Sequence, residues 1–296
     1  MKYQLIPLAV FIASMIVPIC VVFWIRHQRR ERRSPLTVHL LRSPGDSIKQ
    51  QIDDLSENID LYFMFSAITP LLFFTMYLSM HYLGNEKVSW TALLIPCIGF
   101  MAYFSFKLGS QFKKRNSMQL GLDCERAVGQ ELNQLMLDGY RVFHDFPAEN
   151  FNIDHVVIGS NGVFAVETKG RAKPIKGDVN IIYDGQGLKF PTHYEREPLE
   201  QAKRQGAWLG KWLTSAVGAK VEAKPVLVFP GWYIERKKPG MLIYNGKNPR
   251  SVYKNQGEAI LSEEMIQRIA HQVEQRCRDV EAEAYKKLKL KEAMLK

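Results

Sequence analysis

The chain predicts a mixed α/β domain, a sheet with helices on its faces, behind three apolar helices of membrane-crossing length. Three observations carry that expectation. Three long apolar runs fall within the first 108 positions. Beyond them, helical and β-type patterns follow one another as helix, strand, strand, strand, helix, strand, which a mixed sheet closes most simply. Two of the strands flank Ser160-Asn161-Gly162, a turn signal with Gly supplying the unusual backbone angle.

The apolar runs are Leu5 to Ile25, Leu61 to Leu83 and Trp90 to Leu108. Each matches the roughly 20 helical residues that cross a bilayer. A signal peptide is the alternative for the first, but its apolar stretch is too long and lacks a small-residue cleavage site. Arg26, Arg29, Arg30, Arg32 and Arg33 follow the first run, and Lys113, Lys114 and Arg115 follow the third. Only Lys87 lies between the second and third, and only Lys2 precedes the first. The positive-inside rule then puts the N-terminus outside, and the 26–60 loop and everything after residue 108 in the cytoplasm. No acidic residue lies within a run, which argues against an ion or proton pathway and for an anchor. The expected organisation is an anchor over 1–108 (spans about 5–25, 61–83 and 90–108), a domain over 109–235, and a β extension with an amphipathic C-terminal helix over 236–296.

Within the 26–60 loop, Ser47 to Asp60 has the pattern of a short surface helix, with a plain connector as the alternative. The net charge of +10 is compatible with a polyanionic partner or an anionic membrane surface. None of the four cysteines has metal-ligand spacing, so neither a zinc site nor a disulfide is expected in a reducing compartment.

In the cytoplasmic part, Met118 to Leu137 has a helical pattern that Gly139 ends. Arg141 to Phe146 reads as a short strand. Ile175 to Phe190 reads as an inserted hairpin turning at Asp184-Gly185. Pro198 to Ala216 reads as a helix with Pro at its start. Ser262 suits an N-cap, with Glu263 and Glu264 in the first turn of a helix running toward the C-terminus. Its basic end, Lys286 to Lys296, is read as a solvated helix end, with docking on the membrane surface or nucleic acid as the alternative.

The chemistry concentrates on the hairpin. Asp154 lies in its first strand, and Glu167 and Lys169 at the end of its second. Alternation along a strand points Glu167 and Lys169 one way and Thr168 the other. Two carboxylates and an ammonium at one sheet edge suit a hard divalent cation and a positioned water, the equipment of metal-assisted phosphodiester hydrolysis. The bland alternative is a strand-end Asp154 beside an exposed Glu167–Lys169 ion pair. His155 points away from Asp154 and is read as packed or hydrogen-bonded, and Trp208 and Trp212 as core.

From Gly121 to Phe229 the chain resembles the nuclease-related domain, NERD, a branch of the PD-(D/E)XK nuclease superfamily. Four blocks carry the resemblance: Gly121-Leu122-Asp123-Cys124-Glu125-Arg126-Ala127-Val128 with Leu132 and Leu135; Asn152-Ile153-Asp154-His155 through Gly162-Val163-Phe164; Glu167-Thr168-Lys169; and Pro198-Leu199-Glu200-Gln201. Cys124 departs from the family's usual glycine. The resemblance implies a PD-(D/E)XK-like mixed sheet flanked by helices. It implies Asp154, Glu167 and Glu125 as ligands of Mg²⁺ or Mn²⁺, with the Thr168 carbonyl as a further ligand. Lys169 would orient the attacking water, and Gln201 would line the site. The expected function is a membrane-anchored nuclease acting on DNA or RNA at the inner face of a bacterial inner membrane. The alternative is a non-catalytic nucleic-acid-binding or scaffolding module on the same tether.

Overall fold

In a computed structural model, residues 6–29, 35–36, 38–83, 89–177 and 179–281 are described. They divide into two compact units. One holds the described residues up to Val38 together with 53–115; the other holds His39–Ile52 and Asn116–Val280. The basic tail read at Lys286 to Lys296 lies outside the described residues.

The first unit is helical. It contains α1 (Ile6–Arg29), most of α2 (Asp46–Leu83) and the first part of α3 (Trp90–Asn133). By length and composition α2 and α3 are each apolar enough to cross a membrane. Their apolar parts meet through rings: Phe65 stacks on Phe104 at 5.4 Å, and Phe73 lies 6.1 Å from Phe100. Arg115 donates to Ser56 at 3.3 Å near the polar end of this pairing. The surface helix read at Ser47 to Asp60 is the beginning of α2, which continues without a break into the apolar run.

The second unit is a three-layer α/β structure. α3 tightens into a 3₁₀ turn over Gln134–Asp138, and Gly139 closes it in the left-handed region. β1 (Arg141–Pro147), β2 (Asn152–Gly159) and β3 (Gly162–Thr168) form an antiparallel meander. The β2–β3 turn needs φ +129° at Gly162, a backbone that a side chain disfavours. β7 (Ala223–Val228) and β9 (Leu242–Tyr244) extend the sheet in parallel, giving the order β1-β2-β3-β7-β9.

Strand alternation sorts the core onto two faces. Val156, Ile158, Val163 and Ala165 pack with Leu209 and Leu213 of α4 (Glu197–Val217) and Ile269 and Val273 of α6 (Glu263–Cys277). Val157, Phe164 and Val166 pack on the opposite face with Val128 and Leu132 of α3 and Tyr253 of α5 (Pro249–Lys254). α6 begins as its sequence indicates, with the Ser262 hydroxyl accepting from Met265 N.

Between β3 and α4 the chain builds β4 (Asn180–Tyr183), β5 (Leu188–Lys189) and β6 (Tyr194–Glu195). β4 and β5 are the hairpin read around Asp184-Gly185. β8 (Tyr233–Arg236), which follows β7, pairs in parallel with β4 to complete a second sheet ordered β6-β5-β4-β8. Ile181, Tyr183 and Leu188 seat it on Phe229, Trp232 and Ile243.

Candidate functional site

The parallel pairing of β3 with β7 brings two chain directions to one edge. Thr168 pairs with Val228, and Lys169 N then donates to Val228 O at 2.8 Å, so the strand end is held one residue further. Here Glu167 and Lys169 point to the α4 face, and their side chains meet at 2.6 Å between Nζ and Oε1. Gln201, in the first turn and a half of α4, closes a triangle. Its Oε1 accepts from Lys169 Nζ at 2.8 Å, and its Nε2 donates to Glu167 Oε1 at 2.8 Å.

One helical turn on, Gln205 reaches the other oxygen of Glu167. Its Nε2 donates to Glu167 Oε2 at 2.6 Å and to Asn152 O at 3.2 Å. Sequence reasoning missed Gln205, although the i, i+4 spacing from Gln201 is the signal that would have found it. Its Oε1 is buried without a protein partner, a position suited to an ordered water.

Asp154 comes from β2 on the same face as Glu167. Its Oδ2 accepts the Thr168 backbone N–H at 2.6 Å, which ties the two strands at the site. Burial, then Glu167, then Glu125 push the Asp154 carboxyl well above the usual carboxylate range, against the pull of Thr168 N and Lys169. Glu125 comes from α3, whose Leu120 O and Cys124 Sγ lie against Gly170 just beyond Lys169. It is almost wholly buried, and burial together with Asp145 and Glu167 lifts its carboxyl to about 8, against Lys169. The site therefore gathers more negative charge than Lys169 alone offsets.

The opposite sheet face carries a buried polar chain. Alternation turns His155 and Thr168 away from the carboxylates, as their positions in the strands predict. Asn133 Oδ1 accepts from His144 Nε2 at 3.0 Å, which leaves His144 Nδ1 to accept from His155 Nδ1 at 2.9 Å. His155 Nε2 then accepts from the Thr168 hydroxyl at 3.4 Å. Burial holds both rings neutral, His144 down to about 4 and His155 well below the usual histidine value. This run of hydrogen bonds ends on the Thr168 side chain.

Trp208 and Trp212 lie 3° from parallel, Phe146 meets both edge-on, and the Arg276 guanidinium lies over the rings, which is a packing role. Arg171 is paired with Glu195 at 2.9 Å.

The donor chemistry of Asp154, Glu167 and Glu125 fits a hard cation, since all three are oxygen ligands and two are strained by mutual repulsion. Among the described residues, no three His, Cys, Asp or Glu side chains are drawn together closely enough to form a finished ligand set. Glu167 Oε2 accepts one hydrogen bond, from Gln205, and an ionised carboxylate oxygen has a second lone pair to offer.

A mixed sheet with helices on both faces, bearing carboxylates and a lysine at one strand edge, defines a nuclease-like α/β domain. Residues 120–230 match the family model of the nuclease-related domain, NERD, and this part of the chain is a nuclease-related domain. Searches of curated proteins and of solved structures found no match to the chain.

Proposed function

We propose that the chain is a membrane-anchored, divalent-metal-dependent nuclease that hydrolyses phosphodiester bonds of DNA or RNA on the cytoplasmic side. The observation that carries this reading is the Glu167–Lys169–Gln201 triangle beside Asp154, at the strand edge where the family blocks coincide. Asp154, Glu167 and Glu125, with the Thr168 carbonyl, would hold Mg²⁺ or Mn²⁺. Such an ion lowers the pKa of a bound water and stabilises charge developing on phosphorus. Lys169 would orient that water and offset phosphate charge. Gln201 holds the ammonium in line while it does so, and Gln205 fixes the Glu167 carboxylate.

The tether belongs to the same reading. α2 and α3 are long and apolar enough for two spans, and in this reading α1 would be a third; the arginines after residue 25 support an N-terminus outside, with a bacterial inner membrane as the location. A non-catalytic nucleic-acid-binding module on that tether is the second reading. It is favoured by one observation: both Glu167 oxygens already accept hydrogen bonds from Gln201 and Gln205.

The test is cleavage of labelled single- and double-stranded DNA and RNA by the full chain in detergent, with Mg²⁺, Mn²⁺ or EDTA, beside Lys169→Ala. Metal-dependent cutting that the variant loses is the expected result. No cutting by the folded chain, with salt-sensitive binding retained, would give the second reading its support.

A further inference from the structure

The site's outermost support comes from beyond the family-matched segment. Residues 39–52, between α1 and the apolar part of α2, belong to the same compact unit as the nuclease-related domain. Leu40 forms a two-way backbone bridge with Val280, at 2.9 and 3.2 Å. Arg42 grips Asp279 through two hydrogen bonds at 2.7 and 2.8 Å, and Asp145 through Nη1 at 2.9 Å. Pro44 lies so close to Gly129 of α3 that a Cβ there would stand 2.5 Å from its Cγ. Gly45, at φ +74°, lies against Leu122 and the Glu125 carboxylate.

Asp145 is the junction of this segment with the site. It lies opposite Asp154 in the β1–β2 register, between the pairs His144↔His155 and Phe146↔Ile153. Its backbone is left-handed at φ +48°, which Asp tolerates better than most residues. That turn points the carboxylate, 1% exposed, at the start of α2. There Ser47 donates from N at 2.9 Å and from Oγ at 2.5 Å, so a helix N-terminus faces an anion. The Oδ1 that accepts the Ser47 hydroxyl also accepts from Asn152 Nδ2 at 3.1 Å.

Asn152 passes the connection on. Its carbonyl takes the second Gln205 N–H, and Gln205 holds Glu167, while two residues along β2 stands Asp154. A continuous hydrogen-bonded path thus runs from Arg42 and Ser47 through Asp145, Asn152 and Gln205 to Glu167. We infer that Asp145 is a positioning residue of the carboxylate cluster, itself set in place by Arg42 and Ser47 of the 39–52 segment. The inference rests on the reading of that cluster as the working site, but the positioning has its own readout.

That readout is the Thr168 amide, whose protection depends on Asp154 Oδ2. In the full chain in detergent, Asp145→Asn, Ser47→Ala, Arg42→Gln and Arg42→Lys are compared with the unmodified protein by hydrogen exchange. The Thr168 amide is expected to exchange about tenfold faster in Asp145→Asn and several-fold faster in Ser47→Ala, with Arg42→Lys closer to unmodified than Arg42→Gln. Cleavage should fall at least tenfold in Asp145→Asn, in kcat rather than KM, as outer partners of ligands typically cost. A purely local clamp would speed exchange only at residues 39–52 and near 145. An unchanged Thr168 amide in Ser47→Ala, which loses one hydroxyl and retains the fold, overturns the inference. If the unmodified chain cuts nothing, the nuclease reading fails while the Thr168 amide still decides the positioning.

Discussion

Gln205 donates to Glu167 across 2.6 Å, and both side chains are buried. Gln205→Leu removes that donor and leaves Glu167 Oε2 buried without one. Such a loss costs about 1–3 kcal/mol of stability. Cleavage should fall roughly 10–100-fold, the usual cost of losing a partner that orients a ligand. Thermal melting and a single-turnover cleavage assay check the two halves separately. Gln205→Glu should be worse than Gln205→Leu, because it adds a carboxylate to a cluster already short of positive charge.

Stability should fall on both sides of an intermediate pH, and the two limbs have different owners. His144 is held neutral by burial, with its value brought from 6.5 down to about 4. Its contribution is present above the unfolded value and is lost as pH falls through 4. The size is about 3 kcal/mol at most, from 1.36 kcal/mol per unit. Glu125 is the reverse case, raised from 4.5 to about 8. It favours the fold fully below 4.5, and that contribution is lost as pH rises through 8. Melting temperature against pH, in the absence of divalent ions, should show His144→Gln flattening the acid limb and Glu125→Gln flattening the alkaline one. Identical profiles for all three proteins would contradict the assignment.

α6 lies outside the family-matched segment yet contributes to the same core. Ile269 is fully buried against the α4 face of the sheet. Ile269→Ala should destabilise by about 2–5 kcal/mol, the range for deleting a large aliphatic side chain from a core. A chain ending at residue 235 should fail to fold for the same reason. Melting of the variant and solubility of the truncation measure this.

Topology is open to reporters. A green fluorescent protein fused at the C-terminus should fluoresce, and alkaline phosphatase at the same place should be inactive. Insertion of each at residue 86, between the second and third apolar runs, should give the opposite pair. Active phosphatase at the C-terminus would invert the proposed orientation.

Much of the site could be read from local sequence because its logic is local. Alternation along one strand put Glu167 and Lys169 together and sent Thr168 away, and the turn at Gly162 fixed Asp154 on the neighbouring strand. Pro198 marked where α4 starts, hence the placement of Gln201. What sequence did not reveal depends on distant pairs. The second sheet was visible only as a hairpin, because β8 joins β4 across β7. Asp145 looks like an ordinary strand residue until Arg42, 103 positions earlier, is beside it. The 39–52 segment read as part of the 26–60 loop, with a surface helix from Ser47, since nothing nearby signals that Leu40 bridges to Val280.

That last contact has a consequence for how the protein is made. Arg42 leaves the ribosome 237 residues before Asp279, and at about 5–20 residues per second the interval is on the order of 10–50 s. The 39–52 segment therefore waits while its partners are still being translated. Assembly of the domain becomes the docking of a late C-terminal piece onto an early one, and a chain stalled before residue 277 would hold every proposed catalytic side chain without its outer brace.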